Sequence, residues 1–539
     1  MTFARVVLAA ATNDPVPEPK TTRLPPEPTA RAAVQFYETN ILPLYPIFHR
    51  ASLCALVSDL YEENPRPIRS SEYWLFWMIL AIGSATQSRS KHDESYLNAV
   101  EFVARALPHA DRALMSGYVT QLQSLLLLTQ YSMIDPAHFD SWNLIGFTCR
   151  AVVDLGLHQD PPNIQQLDQE ALDARRRTFY CAYALDRSAA YPPCLILPLT
   201  LLFRAISMVH ARAFSFYDDS VSVALPSSNH ARSSLSGGGS IARPPPPDSS
   251  VPLFRLRQLE SDWYQTLFQC DPNDALPDAT SYIWQKCFEM REWSEGLPND
   301  MPIGIREMLD LELRYSYVYC IAPSARAPHL TAYGRMLIFE HAIGYADRIY
   351  EAANAATSTG FYTYHDALRV YFMGSQFISV LRDAGDLVLS GSPIPMPHLI
   401  PGKPPPPLLP GRVDRGGGDN LERSLRCLER VRLTLNLYGD RWEDALSLME
   451  TFEMMSAEVL ESLKARQAMR GAADAAHAEN ARNHQRQPLP VHQSGSNSVP
   501  VSQHYSPLPP HPLQLSPQAQ DMRWVDVDVG QIIRGGGHI

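Results

Sequence analysis

The sequence predicts an all-α protein, in which one large multi-helix domain with disordered linkers precedes a disordered C-terminal tail. Apolar residues recur at helical spacing in one segment after another along the 539-residue chain. Hydrophobic residues make up 45% of the chain, which is enough for a sizeable core. Stretches rich in Pro, Gly and Ser interrupt the helical pattern and mark the linkers.

The predicted elements follow a simple order along the chain. Residues 1–30 are expected to be a disordered N-terminal segment, and the helical domain is expected to run from 31 to 460. Its helices share an apolar periodicity and are predicted at 74–85, 96–107, 119–133, 141–155, 169–187, 254–264, 312–328 and 437–455. Residues 461–539 are expected to be a disordered tail.

The segment at 141–160, SWNLIGFTCRAVVDLGLHQD, is the most informative in the chain. Apolar residues occupy two of its helical faces and leave only Asn143, Arg150 and Asp154 as a thin polar stripe. A helix that is apolar on nearly all sides belongs inside a large helical body. Gly156 offers a stop, and Pro161-Pro162 prevents the helix from continuing.

A second segment, QEALDARRRTFYCAYALDR at 169–187, follows this break. Together the two segments resemble the middle regulatory domain of fungal zinc-cluster transcription factors. The matching positions, in the order the family has them, are Trp142, Gly146, Arg150, Ala151, Leu155, Gly156, Leu157 and His158, then Glu170, Arg175, Arg176, Arg177, Phe179, Tyr180, Leu185, Asp186 and Arg187. The resemblance covers residues 31 to 460 and begins with an entry segment at 36–53.

The resemblance implies a nuclear transcription regulator of a fungal metabolic or secondary-metabolite pathway, without choosing between the two. Its helical module would control an attached activator by masking the activation tail, by sensing a small-molecule effector, or by forming a homodimer. An effector would bind in a cavity between two helical halves. The candidate lining residues are Trp74, Trp77, Trp142 and Tyr183, although packing in the core is the commoner role for such side chains.

The chain departs from the resembled family in its cysteines. Members usually open with a six-cysteine zinc cluster that places a helix in the DNA major groove. Here the eight cysteines are scattered, which indicates free buried thiols, and residues 1–30 contain none. Zinc and direct DNA binding are therefore expected only if an upstream segment supplies the cluster. The other interpretation is an interaction scaffold that reaches DNA through a DNA-bound partner; the first is slightly favoured.

Three stretches interrupt the predicted helices within the domain. Residues 191–211, YPPCLILPLTLLFRAISMVHA, separate parts that adjoin in the family, and we interpret them as a translated intron, with a buried helix at 199–209 as the alternative. A membrane span is rejected because Pro198 and Arg204 fall inside the apolar run, so no membrane association is expected. Residues 227–250 and 395–420 are predicted to be solvated linkers, with binding of the proline runs to an aromatic groove as the alternative.

The end of the tail alternates acidic and apolar residues at 521–533. This pattern is typical of activation segments, which lay apolar side chains into a coactivator groove. The side chains that would do so are Trp524, Val525, Val527 and Ile532. The alternative interpretation is a tail that docks back on its own domain.

No catalytic motif is found, and an enzyme is not expected. The remote alternative is a helical prenyl-diphosphate enzyme with Asp218-Asp219 as a magnesium box, but no second box follows. His158 is expected to cap the preceding helix. Of the adjacent Arg175, Arg176 and Arg177, one is expected to pair with Asp154 or Asp186, while the other two face solvent.

Overall fold

A computed structural model of the protein describes residues 2–21, 23–63, 66–162, 164, 168–189, 214–227, 248–271, 276–324, 326–355, 360–392, 394–410 and 419–485. The predicted all-α class is confirmed. Extended pairing within these ranges is limited to two isolated bridges, Thr12 with Phe139 and Gln159 with Ser222.

The helices of the first half are α1 (Phe3–Ala11), α2 (Glu27–Asn40), α3 (Arg50–Tyr61), α4 (Ser70–Gln87), α5 (Glu94–Ala106), the short α6 (Ala110–Ala113), α7 (Val119–Ile134), α8 (Ser141–Asp154) and α9 (Gln169–Ala189). Those of the second half are α10 (Ser250–Tyr264), α11 (Ala279–Glu295), α12 (Ile303–Ile321), α13 (Ala332–Asn354), α14 (Tyr364–Leu389), α15 (Asn420–Gly439) and α16 (Glu443–Gln485). The chain up to residue 473 forms one compact unit.

The buried side chains form two apolar cores. One core is built mainly from α1 to α9 and contains the fully buried Trp74 of α4. The other is built from α10 to α16 and contains the fully buried Trp263 of α10. Each half thus has its own apolar interior, and contacts between the halves hold the unit together.

The limits of α8 follow from its sequence. The Asp140 carboxylate accepts hydrogen bonds from the backbone N–H groups of Trp142 and Asn143 and so caps the start of the helix. At the other end Gly156 has a φ of +62°, which an L side chain rarely adopts. Its N–H donates to the Val153 carbonyl and that of Leu157 to the Val152 carbonyl, which is the Schellman pattern of helix termination.

The expectation that residues 1–30 are disordered was wrong for their first part. Helix α1 packs on α6 and α8, and its Val7 and Ala11 are completely buried. The Phe3 ring meets the edge of the Phe147 ring at 6.1 Å between centroids. The reason is that Ala4, Val7 and Ala11 recur at helical spacing and make an apolar face for α8 to cover.

The boundary of the predicted tail was also misplaced. Helix α16 continues from the domain through residue 461 to Gln485, and Leu463 within it is buried. Its later residues are rich in Ala, Arg, Gln and Glu, which have high helix propensity even where nothing covers them.

Several predicted segments lie outside the described residues. They are the insert 191–211, the central part of the linker 227–250, residues 411–418 of the linker 395–420, and the segment 521–533 with Trp524, Val525, Val527 and Ile532. The segment 395–410 of the second linker forms neither helix nor strand. It does not stand free in solvent, because Pro406 and Pro407 are buried and the Tyr333 hydroxyl donates to the Pro407 carbonyl at 2.6 Å.

Candidate functional site

Helices α8 and α9, which carry the matched residues, are packed neighbours. Helix α8 contacts α7 and α9, and α9 in turn contacts α7 and α10. The aromatic residues of α9 lie inside: Phe179, Tyr180 and Tyr183 are almost completely buried. Tyr180 stacks on Phe254 of α10 at 5.3 Å, so α9 connects the first half to the second.

Arg187 at the end of α9 is the most heavily engaged residue of the matched set. Its guanidinium is buried, donates to the carboxylates of Asp186 and Asp218 at 2.8 Å each, and donates to the Phe216 carbonyl at 3.0 Å. It also lies over the Tyr183 ring at 3.7 Å. Burial raises the pKa of Asp186, although Arg187 opposes that shift.

This Arg187 cluster ties three separate parts of the chain together. Asp186 accepts from the Ser215 backbone N–H at 3.1 Å, so residues 214–218 return to the point where α9 ends. Asp218 accepts from the Ser261 hydroxyl of α10 at 2.6 Å and from the Tyr183 hydroxyl at 2.9 Å. The Asp218 carboxylate is thus held by protein donors, and this geometry gives no support to the magnesium-box interpretation.

The three consecutive arginines of α9 have different partners from those predicted. Arg176 makes a bidentate pair with Asp160 at 3.0 and 2.7 Å, and Arg177 pairs with Asp248 at 2.5 Å. Arg175 donates to the carbonyls of Gly156 and Gln159. None of the three simply faces solvent, and the expected pairing with Asp154 or Asp186 was wrong. Asp160 lies between α8 and α9, and Asp248 lies just before α10, so only the tertiary structure brings them to these arginines.

The remaining matched positions have modest roles. Arg150 is largely exposed and pairs with Asp154 on its own helix at 3.1 Å. Gly146 is exposed, and a Cβ added there would meet nothing within 4 Å. Leu155 packs against the first core. His158 does not cap α8: its ring Nδ1 is buried without a hydrogen-bond partner among the described residues, and only its carbonyl is engaged, by the Ser222 N–H.

The four residues predicted to line an effector pocket do not come together in one cavity. Trp74 is fully buried and its indole N–H donates to the Ser124 carbonyl at 3.4 Å. Trp77 stacks on Phe102. Trp142 packs against the first core, and Tyr183 belongs to the Arg187 cluster. These side chains have packing roles, which corrects the predicted pocket.

A large cavity among the described residues lies in the first half and not between the halves. It has a volume of about 1820 Å³ and lies where α3, α4, α7 and α9 begin. Its lining residues are drawn from 42–56, 66–75, 119–124 and 157–178, together with Glu38 and Asp248. We call it the α3–α9 cleft. Ile47, Phe48, Leu56, Leu75 and Leu157 contribute apolar surface to it.

A buried ionic network connects α10, α12 and α14 within the second half. Arg257 of α10 donates to Glu260 at 2.6 Å and to Glu312 of α12 at 2.9 Å. Arg369 of α14 donates to Glu312 at 2.5 Å and to Asp366 at 3.1 Å. Burial disfavours the charged form of Glu312, but the two arginines outweigh it and lower its pKa to about 2. Burial raises the pKa values of Glu260 and Asp366.

The halves are joined just after the end of α15. The Trp442 indole N–H donates to the Ile134 carbonyl of α7 at 2.7 Å, and Arg441 lies over the Tyr96 ring at 4.4 Å. Neither this junction nor the ionic network was predicted, because Arg257 and Glu312 are 55 positions apart, Trp442 and Ile134 are 308 apart, and no local pattern marks such pairs.

Metal and membrane sites were also sought. Over the residues that the structure describes, no three His, Cys, Asp or Glu side chains are arranged to hold a metal ion. The described cysteines are free thiols, of which Cys149, Cys181, Cys287, Cys320 and Cys427 are buried. No helix in the described ranges is both long and apolar enough to cross a bilayer.

Comparison with known proteins finds a family match in the first part of the chain. Residues 34–191 match the family described as the fungal specific transcription factor domain. This range contains α8, α9 and most of the α3–α9 cleft, so the predicted resemblance is confirmed there.

The curated relatives extend the similarity further along the chain. A positive regulator of purine utilization from Emericella nidulans is 21% identical over 381 residues, which is 56% of this chain and 34% of that protein. The pyrimidine pathway regulatory protein 1 of Saccharomyces cerevisiae is 23% identical over 302 residues, 52% of this chain and 30% of that protein. An uncharacterized transcriptional regulatory protein of Schizosaccharomyces pombe is 32% identical over 136 residues, 24% and 22% respectively. The chain thus spans about a third or less of these relatives.

Proposed function

We propose that this chain, which contains a fungal specific transcription factor domain at residues 34–191, regulates the transcription of metabolic genes in the nucleus. The observation that carries the proposal is that match, together with the regulatory roles of the relatives. Two of them regulate purine utilization and the pyrimidine pathway, which favours a metabolic pathway over a secondary-metabolite cluster.

The compact helical unit is the regulatory part in this proposal. Two apolar cores form one compact unit, in which α9 packs on α10 and the Trp442 indole N–H donates to the Ile134 carbonyl, so the halves are linked. A change at one site can therefore bias the whole unit, as two-state regulatory modules require. The unit would control an activation segment that contacts a coactivator, and a homodimer is a further way in which it could act.

DNA would be reached through a zinc cluster on another segment or through a DNA-bound partner. The net charge of −11 supports this division, because proteins that hold phosphate backbones directly carry basic surfaces. In the partner-dependent version the chain is an interaction scaffold. The two versions differ in whether the chain occupies its target promoters when the partner is absent.

A reporter assay tests the proposed function. The full chain is fused to an unrelated DNA-binding domain in a fungal host, and transcription is read from promoters that report activation and repression. The proposal predicts a change relative to the DNA-binding domain alone, with the fusion located in the nucleus. A fusion that is present in the nucleus but leaves both reporters at the level of the DNA-binding domain alone would contradict it.

A further inference from the structure

We propose that the α3–α9 cleft binds a small organic anion with an apolar body, whose anionic group pairs with Arg175. Carboxylates, sulfonates and phosphates share the chemistry that this arginine would recognise. The proposal concerns binding by the purified chain, so it stands or falls independently of the transcriptional role.

Arg175 differs from its two neighbours in lacking an anionic partner. Arg176 and Arg177 each pair with a carboxylate, whereas Arg175 forms no ion pair with any described residue. Its Nη2 donates only to the carbonyls of Gly156 and Gln159, and its Nε is buried without a hydrogen-bond partner in the described ranges. Asp160 attracts Arg175 through space, but both of its carboxylate oxygens accept from Arg176. An anion in the cleft would therefore give this partly buried guanidinium a directly bonded counter-charge.

Most other charges of the cleft are already engaged. Arg50 pairs with Glu38 at 3.3 Å, and Arg69 pairs with Glu72 at 3.1 Å. Among the acids, Asp168 accepts from the backbone N–H groups that begin α9, whereas Glu170 is exposed and forms no ion pair with any described residue. Arg175 is held close to the wall of the cleft by its two carbonyl partners and is the cation that remains available to an anion.

The shape of the cleft sets the rest of the ligand. At about 1820 Å³ it exceeds the ~300–1,000 Å³ that usually hold a drug-sized molecule, so a ligand would occupy the part next to Arg175. Leu157 and Pro161 line the cleft in the segment whose carbonyls Arg175 contacts, and Ile47 and Phe48 line it on the segment before α3. An apolar lining with one arginine that is bonded to no carboxylate favours a ligand that is mostly hydrocarbon or aromatic and carries an anionic group at one end.

Two fluorescent probes of nearly the same shape test the proposal. 8-Anilinonaphthalene-1-sulfonate carries the anionic group, and N-phenyl-1-naphthylamine lacks it. Three variants of the full chain are compared with the unmodified protein. Arg175→Gln keeps an N–H donor for the Gly156 carbonyl but removes the charge, Arg175→Lys restores the charge, and Ala55→Trp fills the cleft from the exposed face of α3. Ala457→Trp is the control, in the separate cavity of about 930 Å³ between α15 and α16.

Arg175→Gln is expected to weaken binding of the sulfonate by about tenfold and to leave the neutral probe unchanged, with Arg175→Lys near the unmodified protein. Ala55→Trp is expected to weaken both probes, and Ala457→Trp neither. Unchanged circular dichroism and melting curves show that each variant is folded. Sulfonate binding that is indifferent to Ala55→Trp overturns the site. Equal effects of Arg175→Gln on both probes, or none, overturn the assignment of an anionic ligand.

Discussion

Arg187 shows at the residue scale why a matched position can be structural and still indispensable. Its guanidinium is about 1% exposed and donates to two carboxylates and a carbonyl, and it stacks on two aromatic rings. Removing one partner of a buried ion pair leaves the others charged and unsolvated. Arg187 therefore matters through the carboxylates that it neutralises.

Substitution of Arg187 by Met tests this role. We expect the free energy of unfolding to fall by about 3–5 kcal/mol, because the fully buried Asp186 loses its counter-charge, as does Asp218, whose side chain is 36% exposed. The matched control is Arg150→Met, whose exposed pair with Asp154 contributes about 0–1 kcal/mol. Urea unfolding of both variants provides the comparison, and losses of similar size would refute the assigned role.

His341 of α13 makes the stability depend on pH. Its ring is buried parallel to the Tyr317 ring at 4.6 Å, and neither ring nitrogen has a hydrogen-bond partner among the described residues. Burial, helped by the nearby Arg314, lowers the pKa of His341 to about 3. As the pH falls below about 6.5, the unfolded chain therefore takes up a proton at this position that the folded chain refuses.

His341→Phe is expected to remove this contribution to the pH dependence of the unfolding free energy. The unmodified protein should lose up to about 1.4 kcal/mol of stability per pH unit through this group between pH 6.5 and 4.5. The variant keeps the stacking on Tyr317, and its unfolding free energy should fall by that much less over the same pH range. Unfolding free energies at several pH values are compared with those of His398→Phe, an exposed control. Parallel pH profiles for all three proteins would be inconsistent with this account.

At the scale of elements, the connection between α8 and α9 is fixed by its arginines. Arg176 donates two hydrogen bonds to the Asp160 carboxylate, which also accepts from the Ala224 backbone N–H at 3.1 Å. Both side chains are only about a tenth exposed. The pair therefore joins the α8–α9 connection to residues 214–227, and it lies at the edge of the α3–α9 cleft.

Arg176→Ala is expected to lower the melting temperature, since it leaves Asp160 partly buried without its cation. Asp160→Asn should act through the same interaction, so the double variant should be less destabilised than the sum of the single effects. Differential scanning calorimetry of the four proteins measures this coupling. Strictly additive shifts would show that the two side chains do not act as a pair.

The elements also show what sequence reasoning can reach. The start of α8 and its stop at Gly156 follow from local patterns, and the structure confirms them. The predicted interior position was wrong for one face of α8, because Gly146 and Arg150 are exposed and Val153 is 44% exposed. The partners of Arg175, Arg176 and Arg177 could not be predicted, because Asp160 and Asp248 reach them only through the tertiary path of the chain. Helix α1 was not predicted, although Ala4, Val7 and Ala11 recur at helical spacing, because a helix of 9 residues is stable only where another element covers it.

For the whole molecule, the candidate site was harder to predict than the fold. Aromatic residues indicated a pocket, yet Trp74 and Trp77 fill the core and the cleft opens where four helices begin. Cavities arise where elements fail to meet, and the pattern within one helix does not encode that. The union of the halves likewise depends on the hydrogen bond between Trp442 and Ile134, which are 308 positions apart in sequence.

Transcript levels in the source organism test the central claim most directly. The gene is deleted and then restored with either the unmodified sequence or the Arg187→Met variant, and messenger RNA is quantified genome-wide. The account predicts that deletion alters a coherent set of metabolic genes, that the unmodified sequence restores them, and that the variant restores them less completely. Transcript profiles that do not change on deletion, under growth conditions in which the protein is present in the nucleus, would contradict it.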